Sequence, residues 1–138
     1  MEASTTFWDD LAKDLEDPEF LREYVVESIR IATIDSIVNG LDEARVAAGL
    51  SKASLARAIS AEPATMRRLF SGSASNPTLG TLAEVAAALG MRVKLEPLPK
   101  SERSALTRPL LEGRSANTEE LAEYLEKLRQ TTKASRAA

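Results

Sequence analysis

Residues 49–72 read Gly49-Leu50-Ser51-Lys52-Ala53-Ser54-Leu55-Ala56-Arg57-Ala58-Ile59-Ser60-Ala61-Glu62-Pro63-Ala64-Thr65-Met66-Arg67-Arg68-Leu69-Phe70-Ser71-Gly72. The punctuation in this stretch spells two short helices joined by a tight turn. Gly49 suits the left-handed position that closes a preceding helix. Ser51 is an N-cap type, and Leu55, Ala56 and Ile59 follow as buried positions of the first short helix. Ser60-Ala61 makes the turn, and Pro63 stands at the first position of the second helix. Met66, Leu69 and Phe70 give that helix its apolar side. The opposite side presents Pro63, Ala64, Arg67 and Arg68, with Lys52 at the start of the preceding helix. A helix of this kind fits the major groove of DNA, where its first turns reach base edges. Arginine can grip guanine with two bonds, lysine can meet a phosphate, and a small residue such as Ala64 permits close approach.

The flanks extend the helical pattern in both directions. Upstream, residues 1–6 read as a loose terminus. Phe7, Trp8, Leu11 and Leu15 mark a short helix, and Asp17-Pro18-Glu19 starts a longer one with an apolar stripe from Phe20 to Ala32. Ile34, Ile37, Val38, Leu41, Ala44, Val46 and Ala48 predict a further helix, with Asn39-Gly40 as a kink or break. Downstream, residues 74–77 read as a loop. Thr78 caps a helix with Leu79, Leu82, Val85, Ala86 and Leu89 inward, and Gly90 ends it. From Gly90 the apolar period changes to two: Met91, Val93 and Leu95 alternate with Arg92, Lys94 and Glu96. That alternation predicts a short strand stopped by Pro97 and Pro99. A lone strand needs a partner, so it must pair with residues 5–7, with a second copy, or with another protein. Residues 97–118 read as a polar linker. Asn117 starts a last helix, 118–130, with Leu121, Tyr124, Leu125 and Leu128 on one face, and Thr131 to Ala138 read as a basic, disordered end.

Charge divides along the chain. Residues 1–50 hold twelve acids against four bases, residues 51–95 two acids against six bases, and residues 96–138 seven acids against eight bases. On charge alone, a basic middle in a protein of net charge −3 fits the footprint of a polyanion site and an ordinary solvated face about equally.

The joint pattern resembles the phage-repressor (XRE-type) helix-turn-helix family over roughly residues 34–95. Gly49-Leu50-Ser51-Lys52-Ala53-Ser54-Leu55-Ala56, Ile59-Ser60, Thr65 through Gly72, Asn76-Pro77-Thr78-Leu79-Gly80-Thr81-Leu82 and Ala86-Ala87-Ala88-Leu89-Gly90 carry it. The helical extension upstream, the segment Asn76-Pro77-Thr78-Leu79 and Met91-Arg92-Val93-Lys94-Leu95-Glu96-Pro97 downstream are similar to HigA-like addiction-module antitoxins. The resemblance implies a cytoplasmic homodimer that reads a palindromic operator in double-stranded DNA, binds a cognate toxin and represses its own operon. The sequence departs from the family pattern at three places. Lys52 replaces the usual glutamine, favouring phosphate contact. Ser60 replaces the usual turn glycine, a change that is tolerable if the residue stays at negative φ. Glu62-Pro63 opens the second motif helix in place of a hydroxyl residue and Arg or Gln, and Glu62 can accept from cytosine N4. The DNA-facing residues expected are Ser51, Lys52, Arg57, Glu62, Pro63, Ala64, Thr65, Arg67 and Arg68.

Other classes fall away on composition. There is no histidine and no cysteine, which removes the common general base, both familiar nucleophile pairs, disulfides and nearly every zinc site. The acidic run Asp9, Asp10, Asp14, Glu16 and Asp17 lacks a calcium-loop pattern. No apolar run approaches the ~18 residues of a membrane span, and the acidic N-terminus is not a secretory signal. The expectation is therefore a non-enzymatic protein without cofactor, catalytic residue, metal site or membrane partner. Its fold is mainly all-α: about five core helices in a helix-turn-helix bundle, an N-terminal helical extension, one strand after the bundle and a C-terminal helical tail. The segments are 1–33, 34–96 and 97–138. Two other readings remain open here: a stand-alone phage-type regulator, and an interaction module that neutralises a partner without specific DNA binding.

Overall fold

The computed structural model describes residues 2–71 and 76–137, with side chains for 6–71 and 76–130. The loop expected at 74–77 therefore lies partly outside the described residues, as do Gly72 and Ser73. Among the described residues there are seven helices: α1 (Glu2–Asp14), α2 (Pro18–Ala47), α3 (Lys52–Ala58), α4 (Pro63–Phe70), α5 (Leu79–Ala88), α6 (Lys100–Glu112) and α7 (Thr118–Ala137). The all-α expectation is met, but several local expectations are corrected.

The N-terminal stretch read as loose is helical from Glu2. The break expected at Asn39-Gly40 is absent, because α2 runs unbroken through it. Ile37, Val38 and Leu41 flank the glycine and pack into a core, and that burial outweighs a helix cost of about 1 kcal/mol. Residues 97–118, read as a linker, contain α6. Its prolines are accommodated by the helix: Pro99 is the N-cap, and Pro109 sits in the final turns, ahead of the left-handed cap Gly113 at φ 74°. The strand expected at 91–96 is not formed; among the described residues there is no strand. Among the described residues its backbone has no second strand to pair with, since residues 5–7 belong to α1. The C-terminal helix continues past Gln130 to Ala137, through a stretch free of Gly and Pro.

The chain divides into two compact units. The composite unit joins residues 1–32 to 96–134. Its core gathers Leu11 and Leu15 of α1, Leu21 and Val25 of α2, Leu106 of α6, and Leu121, Ala122 and Leu125 of α7. Long-range hydrogen bonds tie it together. Arg22 Nε and Nη2 donate to the carbonyls of Leu110 and Leu111 at 3.2 and 3.4 Å, serving orphan groups at the end of α6. Arg129 donates to the fully buried Ser28 hydroxyl at 2.9 Å and lies 5.2 Å from the Tyr24 ring centre.

The central unit comprises residues 33–95 with 135–138. Val38 and Leu41 of α2, Leu55 and Ala56 of α3, Met66, Leu69 and Phe70 of α4, and Leu82, Val85 and Ala86 of α5 form one apolar cluster. Three helices end here in the same way. After α2, Gly49 N–H donates to Val46 and Leu50 N–H to Arg45; after α3, Ser60 donates to Arg57 and Ala61 to Ala56; after α5, Gly90 donates to Ala87 and Met91 to Ala86. Each is a paired closure around a residue at positive φ. Two of those residues are glycines, but the middle one is Ser60 at φ 56°. The negative φ expected for Ser60 is thus overturned: the turn geometry is kept, and serine adopts the glycine conformation.

Candidate nucleic-acid interface

Two caps and one turn position the motif helices. Ser51 Oγ accepts from Ser54 N–H at 3.0 Å, the N-cap that starts α3. The same hydroxyl donates to Ser54 Oγ at 2.9 Å, and Ser54 Oγ accepts from Arg57 Nη2 at 3.2 Å. A chain of hydrogen bonds therefore holds the Arg57 guanidinium along the exposed side of α3. Lys52, half-buried, opens the helix. The Ser51 hydroxyl is already occupied by the cap.

In α4, Glu62 is the N-cap residue without a side-chain cap bond, and Pro63 takes the first position. Met66, Leu69 and Phe70 are buried, which fixes the rotation of the helix about its axis. The other face is thereby presented outward. Glu62, Pro63, Arg67 and Arg68 are exposed, and Ala64 and Thr65 are half-buried. Thr65 and Arg68 also line a groove of about 380 Å³ with Asn76, Thr78 and Thr81 at the start of α5. Thr78 caps α5 by accepting from Thr81 N–H at 3.1 Å.

The bases on this surface differ from four other arginines in the chain. Arg30, Arg45, Arg108 and Arg114 each pair with a carboxylate. Among the described residues, none of Lys52, Arg57, Arg67 and Arg68 does. Arg57, Arg67 and Arg68 are exposed as well as unneutralised, and so are available to an external anion. By sequence, the central unit holds five acids and eight bases, and the composite unit sixteen acids and ten bases.

The family model of the Cro/C1-type helix-turn-helix DNA-binding domain matches residues 40–94. Those residues are a Cro/C1-type domain. No curated protein and no solved structure gives a significant match to the chain. The match covers less than half of the sequence and supports a DNA-binding transcription regulator. No described helix is long and apolar enough to cross a membrane, and no described cluster of His, Cys, Asp or Glu could hold a metal ion.

Sequence reasoning missed Arg45, which organises the entry to the motif. Its Nε and Nη2 bond Asp42 at 3.0 and 2.9 Å, and Nη1 donates to Leu50 carbonyl at 2.8 Å. The guanidinium lies 5.7 Å from the Phe70 ring centre. One side chain thus clamps the end of α2, the 49–51 turn and the last residue of α4. The signal was its i,i+3 spacing from Asp42 near a helix C-terminus.

Proposed function

We propose that the chain is a homodimeric, sequence-specific repressor, the antitoxin of a type II toxin–antitoxin module that binds its toxin and represses its own operon in the cytoplasm. The observation that carries the DNA part is the set of four unpaired bases on the outward sides of α3 and α4 within the Cro/C1-type domain. In this reading Arg67 and Arg68 meet base edges, while Lys52 and Arg57 meet phosphates. Pro63, Ala64 and Thr65 let the first turn of α4 approach closely. Glu62 accepts from a cytosine amine, and Ser51 acts by holding the start of α3. The absence of histidine and cysteine from the whole sequence supports a non-enzymatic role. The acid excess of the composite unit supports a basic protein partner, the toxin. A stand-alone regulator uses the same DNA surface without that partner.

The test is binding to DNA just upstream of the gene at two salt concentrations, beside an Arg67→Ala/Arg68→Ala variant. Loss of two base contacts at about 1–3 kcal/mol each weakens specific binding by at least tenfold. The log–log salt slope of the parent is about −0.9 per phosphate contact. No binding at low salt, or a variant that binds as well as the parent, overturns the DNA reading. Toxin binding is tested separately, by co-purification with the product of the adjacent gene.

A further inference from the structure

Helices α6 and α7 and the turn between them line a cleft of about 410 Å³ within the composite unit. Small-ligand sites span about 300–1,000 Å³. Pro109, fully buried, forms part of its wall. Proline has no N–H, so the carbonyl of Ala105, also in the lining, lacks the donor that a helix supplies four residues on. Tyr124 brings an aromatic ring, its hydroxyl already donated to the Glu102 carboxylate at 3.0 Å. Glu120 completes the group, and among the described residues its carboxylate has no ion-pair partner. The cleft also holds groups that would serve an anion, but each is occupied. Arg108 donates to Glu112 at 2.8 Å. Asn117 Oδ1 accepts from the backbone N–H groups of Glu119 and Glu120, both at 3.1 Å, so the start of α7 is capped from within. A carboxylate, a carbonyl without its helix donor and an aromatic ring remain. Together they suit a guanidinium, whose planar fork donates to several oxygens and stacks on a ring, better than the point charge of an ammonium.

We infer that this cleft is the anchor site for an arginine side chain of a basic protein partner. The inference rests on the reading above, in which the acid-rich composite unit meets the toxin, and it names the place of contact. Sixteen acids against ten bases draw a basic surface toward the unit. The cleft then gives one arginine of that surface a specific seat. Its guanidinium pairs with Glu120, donates to the Ala105 carbonyl and packs on the Tyr124 ring. An arginine seated in a pocket is the kind of contact that dominates binding energy at protein interfaces.

The full chain, isotope-labelled for NMR, is titrated with N-acetyl-arginine amide and with its neutral isostere N-acetyl-citrulline amide. Saturable shifts are expected at Ala105, Glu120 and Tyr124 with the arginine probe, and binding of the citrulline probe about tenfold weaker. Glu120→Gln keeps the shape and removes the charge. It is expected to weaken the arginine probe about threefold to tenfold, while Glu123→Gln, on the same helix but outside the lining, leaves it unchanged. No saturable shift at the three residues, equal binding of the two probes, or an unaffected Glu120→Gln overturns the inference. The partner is measured next: the product of the adjacent gene is titrated into the parent and into Glu120→Arg, whose added cation repels an incoming arginine. The variant is expected to bind at least about tenfold more weakly. A product that binds both equally overturns the anchor site while leaving the antitoxin reading. A product that binds neither, with the arginine probe behaving as expected, removes the antitoxin reading and keeps the cleft as a guanidinium site.

Discussion

Ser60 offers the sharpest test of how the motif turn is built. It holds φ 56° at the end of α3, a conformation that costs an L-residue roughly 1–2 kcal/mol. Two hydrogen bonds hold it there, Ser60 N–H to Arg57 at 3.2 Å and Ala61 N–H to Ala56 at 2.8 Å. Ala56 is fully buried, and Ala61 packs against the same core. The Ser60 side chain is exposed, so its removal sacrifices no packing. Ser60→Gly relieves the backbone strain but returns about 0.5–1 kcal/mol through the greater freedom of glycine in the unfolded chain. The net expectation is a gain of about 0.5–1 kcal/mol. Ser60→Val places a β-branched residue at positive φ and is expected to lose at least ~1 kcal/mol. With a urea slope of about 1.5 kcal/mol/M, the midpoints move by roughly +0.5 M for glycine and −0.7 M for valine. Helicity measured across a urea titration reads both variants. Trp8 fluorescence, which reports on the composite unit, is followed in parallel. Operator affinity of Ser60→Gly is expected to equal that of the parent, because the turn geometry is unchanged. A glycine variant no more stable than the parent, or a neutral valine variant, refutes the strained-turn account.

Three further outcomes are expected. Arg45→Ala removes the bonds to Asp42 and Leu50 and the contact with Phe70, and the urea midpoint should report a loss of about 2 kcal/mol. Gly113→Ala meets the Arg22 guanidinium at 3.1 Å and Pro18 Cβ at 3.2 Å as well as an unfavourable φ, whereas Gly49→Ala meets only the φ. Thermal melts should therefore show about 1 kcal/mol lost for Gly49→Ala and roughly twice that for Gly113→Ala. Of the two tyrosines, Tyr124 should ionise only near pH 12, because burial and its hydrogen bond to the Glu102 carboxylate at 3.0 Å both resist a phenolate. A raised folded value means this contribution is intact below the ordinary 10.0 and lost as pH rises through about 12. Ultraviolet titration of Tyr124→Phe should lack that step, while the remaining phenol, Tyr24, raised chiefly by burial, still titrates above 10.0.

The Cro/C1-type motif was legible before any coordinates because its signals are local. Gly49, Ser51, Pro63, Thr78 and Gly90 each act on backbone groups within a few residues, and the structure places all five in those roles. Met66, Leu69 and Phe70 define the rotation of α4 by spacing alone, which is why the outward set around Arg67 and Arg68 could be named from sequence. The composite unit had no such signature. Its defining contacts join Arg22 to Leu110 and Ser28 to Arg129, 88 and 101 residues apart. The polar, turn-rich composition of residues 97–118 made α6 read as a linker, because local propensity carries no information about the core that Leu106 enters. The sign of φ at Ser60 was likewise decided by tertiary structure. Burying Ala56 and Ala61 on one side of the turn outweighs the preference of serine for negative φ. The unbroken α2 follows from the same rule: local chemistry sets where helices start and stop, and distant apolar burial decides which local costs are tolerated.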